Sequence, residues 1–222
     1  MSATLRKTKK STIGRHPERG TYDRAAAHAI LDEALVAHVG FDTDNGIVVV
    51  PMTYARIDNE IYLHGAAASR WLSSFAEGRD VSFCVTLLDG LVLARSAFAH
   101  SMNYRSVVAF GRAITVTDDA RKAIAFRALL DHLLPGRWDD CRQPNRKEID
   151  ATTVLSLQLD EASVKVRSGP PKDAAKDMAL DYWAGVIPLA LEAGQPIPDT
   201  ANAGGAERAM PSYAGNYARR RR

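Results

Sequence analysis

Apolar and polar positions along the chain change period several times, and each change predicts an element. Residues 20–38, GTYDRAAAHAILDEALVAH, place Ala, Ile and Leu at helical spacing behind Asp23 as N-cap, with Asp32 and Glu33 on the wet side. This predicts a helix. The pattern then shortens to strands at Val39–Phe41, Ile47–Arg56 and Glu60–His64, separated by a D-N-G turn at 44–46 and a second turn at Asp58-Asn59, an antiparallel meander. Residues 68–80 set Trp71, Leu72 and Phe75 on one face ahead of Gly78 and predict a short helix. Strand pattern returns at 81–96, with a turn expected at Asp89-Gly90, and continues in a long strand from Tyr104. A helix over 118–136 ends at Pro135-Gly136, and 152–169 hold a further pair of strands. Many short antiparallel strands with few helices predict a Greek-key or meander barrel with helical additions.

After Pro188 the periodicity fails in a stretch rich in Ala, Gly and Pro. The expected organisation is a flexible basic segment over 1–20, one folded domain over 21–190 and a flexible tail over 191–222, which could instead be an arm wrapping a partner subunit. With 222 residues, one domain with tails is the expectation. The net charge of +3 is unevenly spread, because residues 1–20 carry +5 and Arg219–Arg222 carry +4, which leaves −6 for the middle. An acidic folded part argues against a nucleic-acid-binding domain. Cys84 and Cys141 stand far apart with no CxxC pair, so reduced thiols in a cytoplasm are expected. No apolar run approaches the roughly 20 residues that span a bilayer, and the basic first 20 residues are not followed by the apolar stretch of a secretory signal. A cytoplasmic protein that does not engage a membrane is therefore expected.

Candidate chemistry gathers at three places. In HGAAASRW, a glycine and small residues precede Ser69 and Arg70 at a helix start, where backbone N–H groups, a hydroxyl and a guanidinium suit a phosphate. An ordinary helix cap accounts for the same residues. Pro51 interrupts the apolar strand IVVVPMTY, so that strand must lie at an edge or bulge there. The unpaired backbone can meet the polar rim of a planar heterocycle, or simply discourage edge pairing. In AHSMNYRSVVAFGRA a polar cluster runs into a buried strand. Alternation puts Tyr104, Ser106, Val108 and Phe110 on one face and Arg105, Val107, Ala109 and Gly111 on the other. A surface strand end with a snorkelling arginine fits too. The chain has no HExxH or HxH, no GxGxxG, Walker or G-x-S-x-G motif, and no His beside either Cys, so zinc, dinucleotide-fold and triad chemistries are not indicated.

Taken in order, RHPERGTYDR, VVVPMTYARIDNEIYLHGAAASR, SMNYRSVVAFGRA, VKVRSGPPKD and YWAGVIPL resemble the pyridoxamine 5'-phosphate oxidase-like flavin-binding proteins. The resemblance is narrower to the branch of nitroimidazole-resistance and flavin-nucleotide-binding proteins, and it covers residues 15 to about 190. It implies a mainly β fold, a six-stranded antiparallel split β-barrel with peripheral α-helices, and a homodimer with FMN in clefts at the subunit interface. It also implies that Val50, Pro51, Met52 and Thr53 border the flavin ring, largely through backbone, that His64 and Gly65 lie beside the ribityl chain or ring, and that Ser69 and Arg70 hold the phosphate. Tyr104, Arg105 and Ser106 would form a cofactor-facing strand end, and Trp183 would close over the cofactor. FAD or a deazaflavin would also be compatible. The region after Gly111 does not match the substrate-phosphate grip of true pyridoxamine 5'-phosphate oxidases, so oxidation of the vitamin is not expected. The function implied is an FMN-dependent oxidoreductase taking electrons from a small-molecule donor to a small planar acceptor, nitroreductase-like. The alternatives are a flavin carrier or sensor without turnover, and a haem-binding split barrel with His64 or His100 on iron.

Overall fold

A computed structural model describes residues 2–44, 46–69, 72, 78–199 and 209–218. Its strands are β1 (Gly20–Thr21), β2 (Val36–Thr43), β3 (Gly46–Ile57), β4 (Glu60–Ala66), β5 (Asp80–Leu93), β6 (Ser101–Arg112), β7 (Ile114–Thr115), β8 (Thr152–Gln158), β9 (Glu161–Arg167) and β10 (Gly185–Pro188). The helices are α1 (Arg24–Glu33), α2 (Asp119–Leu133), α3 (Arg146–Asp150) and α4 (Ser212–Gly215). All strand pairs are antiparallel. The order is β1-β9-β6-β5-β2-β3-β4-β8-β7, with β10 added to β5. Among the described residues the strands number ten where six were expected, the surplus coming mainly from the short β1, β7 and β10, and the sheet does not close.

Two features make this sheet a split barrel. β3 pairs with β2 through Thr53 and with β4 from Tyr54 onward, so one strand passes from one layer to the other. Side chains from the two layers then share one core, in which Val39, Phe83, Val107 and Val164 meet Ile61, Leu63, Leu155 and Leu157. A Cβ at Gly111 of β6 would stand 2.7 Å from the Leu157 side chain of β8, so glycine lets the layers close. Tyr54 anchors the centre. Its ring meets Phe83 edge to face at 5.1 Å, and its hydroxyl donates to the carbonyls of Leu31 (2.6 Å) and Ala34 (3.1 Å) at the end of α1. α1 forms where expected, capped by the Asp23 carboxylate accepting from the Ala25 amide, and buries Ala27, Ile30 and Leu31.

Three expectations change. β2 begins at Val36 rather than Val39, because Val36–His38 alternate outward and inward as part of the ladder with β3. Asp89-Gly90 is not a turn: β5 runs straight through, and the register against β6 shifts between Leu88 and Gly90, which makes Asp89 the extra residue of a bulge. The basic N-terminal stretch, expected to be flexible as chain termini usually are, lies along the domain. Leu5 is 2% exposed within the core, the Arg6 amide donates to the Asp160 carbonyl, and the Tyr22 hydroxyl donates to the Ser11 carbonyl. Its buried leucine and these hydrogen bonds hold it there. The helix expected over 68–80 lies mostly outside the described residues, as does Asn45 of the first turn. Leu72 is described and is buried.

Candidate functional site

The sheet has an inner face that fills the core and an outer face that a single chain leaves largely open. On β3, Val50 and Met52 pack toward the core, while Val49 is 60% exposed and Pro51 and Thr53 share its side. Pro51 pairs with His38 of β2, and the ladder with β4 starts only at Tyr54, so the proline sits where β3 has one neighbour. Across the same outer face lie Val36 and His38 of β2, Cys84 and Thr86 of β5, and Tyr104 and Ser106 of β6. Thr53 pairs with Val36 and Ser106 pairs with Thr86. Three strand spacings thus separate Thr53 from Ser106, about 14 Å.

Arg105 goes to the other face. Its neighbours along that side, Val107 and Ala109, have no exposure, and its guanidinium ends the inner face in a network with two carboxylates. Nε and Nη2 donate to Asp89 at 2.9 and 2.7 Å, and Nη1 and Nη2 donate to Glu33 at 2.5 and 2.9 Å. Four of its five N–H groups are thereby engaged. These bonds, to Asp89 first and Glu33 next, raise the Arg105 pKa further above its usual value. The bulge in β5 explains Asp89. The extra residue turns its carboxylate to Arg105 while its carbonyl accepts from the Leu189 amide at 3.1 Å. Glu33 and Asp89 carry no sequence signature of their own. A pairing of Arg105 with an acidic residue at a bulge is the clue that an Asp-Gly inside an apolar run could have given.

A cavity of about 580 Å³ opens beside this network, lined by Glu33, Thr86–Asp89, Arg105 and Leu189–Leu191. It occupies a gap along one edge of β5, since β2 pairs with β5 only up to Cys84 and β10 begins at Gly90.

At the end of β4, His64 is exposed and desolvation holds its pKa below the usual histidine range. A Cβ on Gly65 would overlap the Leu72 Cδ1, so a larger residue there would push that side chain aside. The Ser69 amide donates to the Ala66 carbonyl at 2.8 Å and the Ser69 carbonyl accepts from Leu72 at 3.1 Å, which leaves the Ser69 hydroxyl, not its amide, to meet an anion. Arg70 lies outside the described residues. Trp183 is 68% exposed and leans on Gly185, where a Cβ would come within 2.8 Å of the indole; β10, which follows, is fixed to the far end of β5 by the pair Gly185–Leu93. The intervening loop is latched by Asp173, which accepts from both the Arg95 amide (2.9 Å) and its guanidinium (3.1 Å). The structure thus brings Pro51, Thr53, Tyr104 and Ser106 to one face and sends Arg105 to the opposite one.

This sheet and these motifs define the family. A family model described as pyridoxamine 5'-phosphate oxidase matches residues 23–166, and the chain belongs to that family. Among solved structures, it is similar to the flavocytochrome Anf3 from Azotobacter vinelandii, at 39% identity over 93% of this chain and 95% of that one, with a TM-score of 0.88. It is also similar to an FAD and haem binding protein from Mycobacterium smegmatis, at 36% identity over 88% and 95% of the two chains, with a TM-score of 0.83. A 5-nitroimidazole antibiotic resistance protein from Bacteroides thetaiotaomicron shares the fold at 20% identity, covering 66% and 86%, with a TM-score of 0.56. No curated protein matches the chain. Among the described residues no helix is long and apolar enough to cross a membrane.

Proposed function

We propose that this chain is a flavin-binding electron-transfer protein that also holds haem and works as a homodimer. The observation that carries the reading is the likeness, at 39% and 36% identity over nearly the whole chain, to one protein named a flavocytochrome and one named an FAD and haem binding protein. The outer face fits a flavin: Pro51 offers no N–H, Thr53 and Ser106 offer hydroxyls, and Tyr104 offers a ring. Because Thr53 and Ser106 stand about 14 Å apart on one chain, one ring system would meet both only where a second copy lays its own β6 against this face. Val36, Ile47, Val49 and Leu88 are 48%, 81%, 60% and 49% exposed on the strands concerned, a surface that a second copy would cover. A flavin supplies hydride and single-electron chemistry and a haem supplies one-electron chemistry, while the protein orients the groups and controls access. Arg105, tied to Glu33 and Asp89, would contribute little net positive charge to either group. The cavity beside it suits a small neutral or cationic molecule better than a carboxylate, and gives a planar electron acceptor a place to bind.

The test is the visible spectrum of the protein as purified, before and after dithionite, with the released flavin identified by mass. Flavin bands with a Soret band support the whole reading, and the mass distinguishes FAD from FMN. Flavin bands alone, with no uptake of added hemin, remove the haem. A colourless chain that takes up neither group overturns both. Light scattering gives the oligomeric state, and a monomer at micromolar concentration would remove the dimer.

A further inference from the structure

We infer that the cavity beside Arg105 is the docking site of an extended basic segment, and that its occupant is Arg219–Arg222 of this chain, which lie outside the described residues. The site is built on an open strand edge. Along one edge β5 pairs with β6, while its other edge has two partners, β2 up to Cys84 and β10 from Gly90. Between these two, Val85–Asp89 have no strand beside them among the described residues, and the Asp89 carbonyl closes the gap by accepting from the Leu189 amide. Thr86–Asp89 line the cavity of about 580 Å³, so the cavity has the place of a missing length of strand. An edge of this kind takes an extended peptide through main-chain hydrogen bonds, and the surrounding side chains select which peptide.

Here they select a cation. Among the described residues that line the cavity, Glu33 and Asp89 bring two negative charges and Arg105 one positive charge, so the wall carries an excess of one negative charge. Each Asp89 oxygen accepts once from Arg105 and keeps a second lone pair for another donor. Leu88, Leu189 and Leu191 are 49%, 38% and 64% exposed and offer the apolar surface on which arginine stems lie. An acidic peptide would be repelled by the same wall.

The path of the described chain names the occupant. α4 is fastened behind α2: a Cβ on Gly136 would stand 3.5 Å from the Tyr213 ring, the Arg137 guanidinium donates to the Tyr213 hydroxyl at 3.0 Å, and that hydroxyl donates to Asp140. Just beyond α4, Tyr217 and Ala218 line a smaller cavity of about 70 Å³ together with Asp32, Glu33 and His132. Glu33 is thus a wall of both cavities, and the chain reaches it one residue before the run Arg219–Arg222. Asp32 is engaged by Arg56 at 2.8 Å, so the acidic ground ahead of Ala218 is the larger cavity. Four extended residues span about 13 Å, within the roughly 17 Å of five strand residues. Occupied in this way, the cavity is closed to the planar acceptor given to it above; that consequence rests on the flavin reading, and the docking itself does not.

The experiment follows amide hydrogen exchange in the full-length protein and in a chain ending at Ala218, and titrates acetyl-tetraarginine amide into both. Expected is exchange over Val85–Asp89 at least tenfold faster in the shortened chain, with β4 and β8 unchanged, and peptide binding at least tenfold tighter to the shortened chain than to the full-length one. The bound peptide should restore the protection, Leu191→Lys in the shortened chain should weaken its binding at least tenfold, and acetyl-tetraglutamate amide should leave exchange unchanged. Equal exchange over Val85–Asp89 in the two chains overturns the docking, as does equal affinity for the peptide. Protection that fades on dilution of the full-length protein overturns the assignment to the same chain and gives the segment to a second copy. Flavin and haem content, read in the same samples, decide the proposed function separately from these outcomes.

Discussion

Arg105 and Ser106 are neighbours in sequence and belong to two different environments. Arg105 ends the inner face of the sheet, where these groups find their partners inside one chain: a guanidinium between two carboxylates, Val107 and Ala109 without exposure, Tyr54 closed over α1. Ser106 stands on the outer face, among exposed apolar side chains and hydroxyls with open space in front of them. The inner face accounts for how this chain folds. The outer face holds what it is proposed to work with, and one copy leaves that face incomplete.

Substitutions on the inner face should act through stability, the largest effect first. Phe83→Ala removes a fully buried ring at the meeting point of the two layers and should cost about 3–5 kcal/mol in urea unfolding. Arg105→Ala leaves Glu33 and Asp89 facing each other without the guanidinium and should cost about 3 kcal/mol, the low end for a broken buried pair because Arg105 is 24% exposed. A double-mutant cycle with Glu33→Gln should recover part of that loss. If Arg105→Ala instead abolished flavin uptake at unchanged stability, the division between the two faces would be wrong at this residue. Tyr54→Phe, which removes the hydroxyl from the Leu31 carbonyl while the Ala34 carbonyl keeps His132 Nε2, should cost about 1–2 kcal/mol.

On the outer face the order of effects reverses. Val49→Asp should change urea stability by less than about 0.5 kcal/mol when measured on the monomer, yet shift light scattering from dimer to monomer and release flavin. The smallest effect concerns pH. Burial holds His28 below the usual histidine pKa, with the Arg56 charge adding to it, and desolvation does the same for His64. The unfolded chain therefore binds protons first, and stability should decline as pH falls through about 6.5. Urea midpoints at pH 7.5 and 5.5 test this, and His28→Gln should flatten the difference.

How much of this was legible in the sequence divides along the same line. Alternation located the long strands and both faces of β6, because inward Val107 and Ala109 and outward Tyr104 and Ser106 differ in kind. The meander at 47–64 was legible for the same reason. Asp89-Gly90 was not: an Asp-Gly in an apolar run signals a turn, and only the continuous pairing with β6 on both sides makes it a bulge. The partnership of Arg105 with Glu33 spans 72 residues and has no local trace. Leu5 was hidden because one apolar residue among lysines and arginines yields no period. Of the phosphate reading, Arg70 lies outside the described residues, and Ser69 has its amide engaged in a turn.

The seated N-terminal segment also orders events in time. Arg6 bonds to Glu161 across 155 residues, and its amide joins the Asp160 carbonyl. Arg6 is made long before its partners and therefore cannot be fastened until β9 has been made and paired. Closing so long a loop is slow relative to local contacts, so the segment around Arg6 stays accessible until β9 is in place and is clamped as one of the last acts of folding. Weakening that clamp, as in Arg6→Ala, would be felt at the closing step, as slower maturation of the domain, more than in the finished molecule.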